Sequence, residues 1–235
     1  MQLVLPVNSF HKQSFENFIN GYNVHIVSHL HQILDANVQP ALASQSICVL
    51  SGLEGLGKTH LCMATQSKGL LKGYKSQYLN MQSLVNMPTE MAEGIADNQV
   101  LCLDNIHSLR HNDDWQRVLF DLINQFLEKN GRLLLMSMRE PLAGSNWGLK
   151  DLKTRLQWGT NFGLAQLSDE EKVVALESYA SNIGFTPQKK AMTYLITRVS
   201  RNMNTLTEHL RVLDRQSLQQ KRKITIPFIK EVLKI

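Results

Sequence analysis

The sequence predicts an α/β domain with a parallel sheet covered by helices on both faces, followed by a small all-helical domain. Short apolar runs of buried-strand character alternate with helical stretches as far as Leu167, and a phosphate-binding loop joins the first such strand to the helix behind it. Past Leu167 every remaining element reads as helix.

The loop is Gly52-Leu53-Glu54-Gly55-Leu56-Gly57-Lys58-Thr59, an uninterrupted match to G-x-x-x-x-G-K-[ST]. Ile47-Cys48-Val49-Leu50 before it reads as a buried strand and His60 to Lys68 after it as the start of a helix, the context the motif needs. The glycines let backbone N–H groups turn inward around phosphate oxygens, at a helix N-terminus whose partial positive charge favours an anion. In such a loop Lys58 reaches the β- and γ-phosphates and the Thr59 hydroxyl holds Mg²⁺. A glycine-rich turn without a ligand would share the composition but has no need of the flanking strand and helix. The candidate nucleotide contacts are Gly52, Glu54, Gly55, Leu56, Gly57, Lys58, Thr59 and His60.

From the N-terminus, Met1-Gln2-Leu3-Val4-Leu5-Pro6-Val7 reads as a short strand or leader, or as a tethered peptide with Gln2 as a two-ended amide and Leu3 and Leu5 as apolar anchors. Phe15, Phe18 and Tyr22 lie close together around a turn at Asn20-Gly21 and suit either the core or an apolar slot for a nucleotide base. A helix follows from Val24 to Leu34.

Beyond the loop, Ser76 to Leu79 is a second strand, and Gln82 onward is a weak helix or loop interrupted at Pro88. Val100 to Asn105 is a buried strand ending in an acid. Asp104 there either caps a turn or orients the Mg²⁺ shell beside the phosphate loop, and the loop's presence favours the metal role. Many hydrolysing P-loop ATPases carry a second acid next, whereas this chain has Asn105, which cannot accept a proton. Trp115 to Leu127 has a helical period, Leu133 to Met138 is a fourth strand and Phe162 to Leu167 a fifth. Arg155, just before the fifth strand, is either a solvated surface residue or an arginine finger supplied in trans to another molecule's γ-phosphate.

Ser168-Asp169-Glu170-Glu171 is a capping box opening a helix to about Ile183, with Gly184 at its end. Pro187 opens a second helix, Asn204 to Gln220 forms a third, and Pro227 starts a short last one. Lys189, Lys190, Arg198, Arg201, Arg211, Arg215, Lys221, Arg222 and Lys223 make this part basic, as a solvated face or as a surface for an acidic partner. A net charge of +5 permits nucleic-acid contact without requiring it. The absence of a signal-peptide pattern and of any apolar run long enough to span a bilayer predicts a cytoplasmic protein. The three cysteines, Cys48, Cys62 and Cys102, are far apart in apolar runs, which predicts buried thiols rather than disulfides or a metal site.

Together, Gly52 to Thr59 followed by His60-Leu61, the strand ending Asp104-Asn105, the stretch Arg155-Leu156-Gln157-Trp158-Gly159 and the helical C-terminal part resemble the AAA+ ATPase core and lid of the DnaA family of bacterial replication initiators. The resemblance spans essentially the whole chain. It is closer to the Hda branch, short DnaA-related regulatory inactivators without the initiator's helix-turn-helix domain, because Gln2 to Pro6 is similar to that branch's sliding-clamp peptide and Arg222 to Lys234 is similar to its ending.

The resemblance implies a clamp-binding peptide over residues 1–8, an AAA+ core with a parallel five-stranded sheet over 9–167 and a helical lid over 168–235. It implies that Gln2, Leu3, Leu5 and Pro6 dock on the DNA polymerase sliding clamp, bringing the protein to DNA indirectly. Phe18, Gly21 and Asn23 would border the adenine of bound ADP or ATP, with Mg²⁺ held through Thr59 and Asp104. Arg155 would be the finger acting on ATP held by the DnaA initiator, so that the initiator passes to its ADP form and replication is not restarted. Self-association is compatible with this scheme.

The chain also departs from the pattern. Met138 stands where an acid is common, leaving Ser137 as the nearest polar candidate for a phosphate sensor, and Asn204 stands where the lid commonly carries an arginine. With Asn105, these departures imply weak or no intrinsic ATP turnover. The competing readings are an autonomous AAA+ ATPase of the helicase-loader kind and a nucleotide-bound adaptor without a catalytic role.

Overall fold

A computed structural model describes residues 13–35, 47–129, 132–185 and 188–235. Gln2, Leu3, Leu5 and Pro6 lie outside these residues. The strands are β1 (Ile47–Ser51), β2 (Ser76–Asn80), β3 (Val100–Asp104), β4 (Leu133–Met138) and β5 (Thr160–Gly163), all parallel in the order β2-β3-β4-β1-β5. The chain leaves β1 for the far edge and returns through β3 and β4, so β1 and β3 end at the same side of the sheet, where ligands of open α/β sheets sit.

Strand side chains alternate between faces, and the core divides accordingly. Ile47, Val49, Leu101, Leu103, Leu134 and Met136 face one way and pack with Trp115, Leu119, Ile123 and Phe126 of α4 (Asp113–Glu128). Cys48, Leu50, Cys102, Leu133 and Leu135 face the other and pack with α1 (Val24–Asp35) and α2 (Lys58–Leu71). Each fully buried Leu or Ile here contributes about 1.5–3 kcal/mol of transfer free energy. The three cysteines are free and buried, and burial pushes the Cys48 thiol up to about 12.

Two short stretches read differently in three dimensions. The fifth strand lies earlier than Phe162–Leu167, at Thr160–Gly163, because β1 ends at Ser51 and turns into the phosphate loop, leaving no ladder beyond it. Leu164 makes the last link, its N–H donating to Ser51 O at 2.8 Å. Gly159 lets the chain enter this pairing: a Cβ there would lie 2.7 Å from the Ile47 carbonyl oxygen. The weak helix expected after Gln82 is a single turn, α3 (Met81–Leu84), with Asn80 accepting from Gln82 N at 3.1 Å.

The stretch containing Arg155 is a helix, α5 (Lys150–Trp158), which buries Leu152 and Leu156 on one side. The lid comprises α6 (Asp169–Asn182), α7 (Lys189–Arg198), α8 (Met203–Gln220) and α9 (Ile226–Leu233). Its core is a separate cluster including Leu176, Met192, Leu195, Leu210 and Phe228. Ser168 and Glu171 form the reciprocal capping box, Glu171 N donating to Ser168 Oγ at 3.2 Å and Ser168 N to Glu171 Oε2 at 2.7 Å. No helix among the described residues is long and apolar enough to cross a membrane.

Candidate nucleotide site

The loop between β1 and α2 runs along a cleft of about 900 Å³ between the α/β core and the lid. That volume is in the range of nucleotide-sized ligand sites. Gly57, which precedes α2, has φ 95°, a left-handed conformation that costs side-chain-bearing residues, and a Cβ on it would lie 2.6 Å from Phe18 Cε2. Phe18 thus seals one side of the loop. Lys58 opens α2 and its Nζ donates to Gly52 O at 2.6 Å and Leu53 O at 2.7 Å. Burial lowers the Lys58 pKa, with the Asp104 carboxylate acting in the opposite sense.

Asp104, at the end of β3, is 1% exposed and accepts three hydroxyls: Thr59 Oγ1 at 2.7 Å and Tyr78 OH at 2.9 Å on Oδ2, and Ser137 Oγ on Oδ1. Asn105 has φ 60°, donates its N–H to Ser137 Oγ at 3.0 Å and lines the cleft beside Arg139. Ser137, the sequence's candidate phosphate sensor, is buried with its hydroxyl directed at Asp104.

At the opposite wall, Phe18 and His60 stand 5.3 Å apart between ring centres, and His60 Nε2–H donates to Ser14 O at 2.8 Å. Burial pushes the His60 pKa down, favouring neutral imidazole. Phe18 and His60 line the cleft with Glu54, Gly55, Leu56 and Thr59. Asn23 lies behind this wall: its Nδ2 donates to Ala165 O at 3.0 Å and its Oδ1 accepts from Ala165 N at 2.8 Å. Gly21 lies against Leu167 and Glu171 at the entry to the lid.

The lid closes on the loop through side-chain amides. Asn202 Nδ2 donates to Glu54 O at 3.3 Å, and Asn204 Nδ2 donates to Glu54 Oε1 at 3.2 Å. Two lid cations that the sequence counted among the basic surface, Arg201 and Arg211, line the cleft, as does the buried Lys172, which pairs with Asp169 at 3.2 Å. Their composition was visible in the sequence; their direction depends on how the lid docks. Arg155 is elsewhere. It lies on α5, half-buried, its guanidinium 4.3 Å from the ring centre of Trp158 and 5.7 Å from that of Phe120.

Residues 10–163 match the family described as "Bacterial DnaA ATPAse domain", and residues 169–233 match that described as "Hda, lid domain". The chain belongs to the Hda/DnaA family of AAA+ proteins. It is 32% identical over 234 residues to an uncharacterized protein of Haemophilus influenzae, covering 100% of this chain and 99% of that one. In three dimensions it is similar to domain III of the Thermotoga maritima replication initiation protein DnaA, with a TM-score of 0.79 at 17% identity over 98% of each chain. It is also similar to AMPPCP-bound DnaA from Aquifex aeolicus, with a TM-score of 0.70 at 18% identity, over 93% of this chain and 68% of that one.

The AAA+ core and helical lid expected from the sequence are therefore the family's own architecture, and a phosphate loop in that architecture is consistent with nucleotide binding. The residues fit such a ligand: the loop's backbone turns around Lys58, and a hydroxyl and a carboxylate suited to a hard cation's shell stand beside it. Two outcomes follow for this family member. Gly57→Ala combines a disfavoured φ with the Phe18 clash and should weaken ADP binding by about tenfold or more, read by titration with a fluorescent analogue. Asn23→Ala should lower unfolding free energy by about 2–3 kcal/mol, because both polar groups of Ala165 lose their partner; the denaturant midpoint measures this.

Proposed function

We propose that this protein holds ADP or ATP with Mg²⁺ in its own cleft and acts as a regulator of a DnaA-type initiator, supplying Arg155 in trans to hasten hydrolysis of ATP bound there. The observation that carries this reading is the position of Arg155, away from the protein's own cleft at the end of α5 and backed by two aromatic rings. A guanidinium held that way sacrifices little side-chain freedom on meeting a partner. Neutralising the developing phosphoryl charge is what an arginine finger contributes.

Within its own site the chain's residues bind and orient. The loop's N–H groups and Lys58 take the phosphates, Thr59 and Asp104 hold the cation, and Phe18 and His60 wall the opposite side of the loop. A divalent cation held by Thr59 and Asp104 would supply charge neutralisation to the phosphates. Asn105 lacks the basicity to draw a proton from water, which supports nucleotide retention over turnover. The N-terminal Gln2, Leu3, Leu5 and Pro6 tether the protein to the sliding clamp, and DNA is reached through that ring. Because several copies of the groove are offered together, a modest peptide affinity suffices.

The deciding experiment follows hydrolysis of ATP already bound to purified initiator, with this protein added, with and without clamp loaded on DNA. Stimulation confined to loaded clamp is the expected result. Absence of stimulation in both conditions defeats the regulatory reading. Turnover of free ATP by the protein alone, lost in Lys58→Ala, would instead establish an autonomous ATPase.

A further inference from the structure

Tyr78, Asp104 and Ser137 stand on the adjacent strands β2, β3 and β4 and on one face of the sheet. The strand period of two places them there. Cys102 and Leu135, each two residues before the polar member of its strand, pack on the side of α1 and α2, and so does the Tyr78 ring. Thr59, at the start of α2, meets the same carboxylate from above.

Thr59 and Tyr78 both donate to Asp104 Oδ2, at 2.7 and 2.9 Å, while Ser137 donates to Oδ1. Two of the carboxylate's about four lone-pair sites are thus engaged on Oδ2 and one on Oδ1, which leaves a site on Oδ1 for a cation's bound water. Thr59 belongs to the phosphate loop's own chemistry, and its hydroxyl oxygen would help hold a cation. Tyr78 does not line the cleft and has no part in holding phosphate. Its hydroxyl is a second, independent hold on Oδ2, carried by a neighbouring strand of the sheet.

We propose that Tyr78 is a positioning residue for the nucleotide's divalent cation, fixing Asp104 Oδ2 from β2 so that the carboxylate is already oriented toward the cation's water shell. This rests on the reading that the cleft binds nucleotide with Mg²⁺ through Thr59 and Asp104. Groups that orient a ligating carboxylate from behind commonly matter nearly as much as the ligand itself.

The test titrates the full-length protein with a fluorescent ADP analogue over a series of Mg²⁺ concentrations and in EDTA. Tyr78→Phe keeps the ring and removes the hydroxyl. It is expected to raise the Mg²⁺ concentration for half-maximal tightening about ten- to a hundredfold, the loss expected for one hydrogen bond to a charged group, with affinity in EDTA unchanged. Tyr78→Leu should show the same metal shift together with a lower melting temperature, which separates the hydroxyl from the ring's packing. A wild-type Mg²⁺ dependence in Tyr78→Phe, or an equal loss of affinity with and without metal, overturns the assignment. Mg²⁺-independent binding by the wild-type protein overturns both this and the metal reading beneath it.

Discussion

Arg155→Ala is expected to abolish stimulation of ATP hydrolysis on a DnaA-type initiator while the protein stays folded and keeps its own nucleotide. Arginine fingers contribute about 10³–10⁵ in rate, so the loss should reduce hydrolysis to the initiator's unaided level. Against this the structural cost is small. Arg155 is half-buried and gives up stacking on Trp158 and Phe120, each such contact worth about 0.5–1 kcal/mol at exposed sites, while Leu152 and Leu156 still anchor α5. Single-turnover hydrolysis with nucleotide preloaded on the initiator measures the rate, and circular dichroism checks the fold. Arg155→Lys should recover little, because an ammonium lacks the planar fork that grips phosphoryl oxygens. Full stimulation by Arg155→Ala would remove the finger from the mechanism.

Lys58→Ala is expected to strip the protein of nucleotide. The ammonium, with carbonyls of Gly52 and Leu53 at 2.6 and 2.7 Å, lines the cleft, where its charge and hydrogen bonds would meet a bound anion. Losing even one or two charge-assisted hydrogen bonds to phosphate weakens binding by about a hundredfold or more. Equilibrium dialysis against labelled ADP reads the affinity directly. If the nucleotide also braces the lid, the melting temperature of the wild-type protein rises with added ADP and that of Lys58→Ala does not. Undiminished ADP affinity in the variant would show that the loop is not what holds the ligand.

The phosphate loop and the strands around it were legible because their pattern is local. The phosphate loop is one continuous segment between a strand and a helix, and β1, β3 and β4 are buried on both faces, so each reads as an apolar run interrupted by one polar residue at or next to its end. Where the decisive partner lies far along the chain, pattern gave less. Asn23 spends its amide on Ala165, 142 residues away, and no local period announces that pairing. The edge strand Thr160–Gly163 alternates half-buried and exposed residues and has little apolar content, so the expected strand slid toward the more apolar Phe162–Leu167. Helix α5 was obscured because only Leu152 and Leu156 are buried among Lys150, Asp151, Lys153, Arg155 and Gln157. The convergence of Tyr78, Asp104 and Ser137 was implicit in strand parity, but reading it requires the order β2-β3-β4, which sequence alone does not supply.

The amide links from Asn202 and Asn204 to Glu54 join the lid to the phosphate loop. Whatever grips the lid and draws it from Glu54 changes the affinity of the loop for its anion, and occupancy of the loop changes the affinity of the lid for that partner by the same factor. A nucleotide held in such a site would therefore serve as a gauge of lid posture, readable from outside without any bond to phosphate being broken.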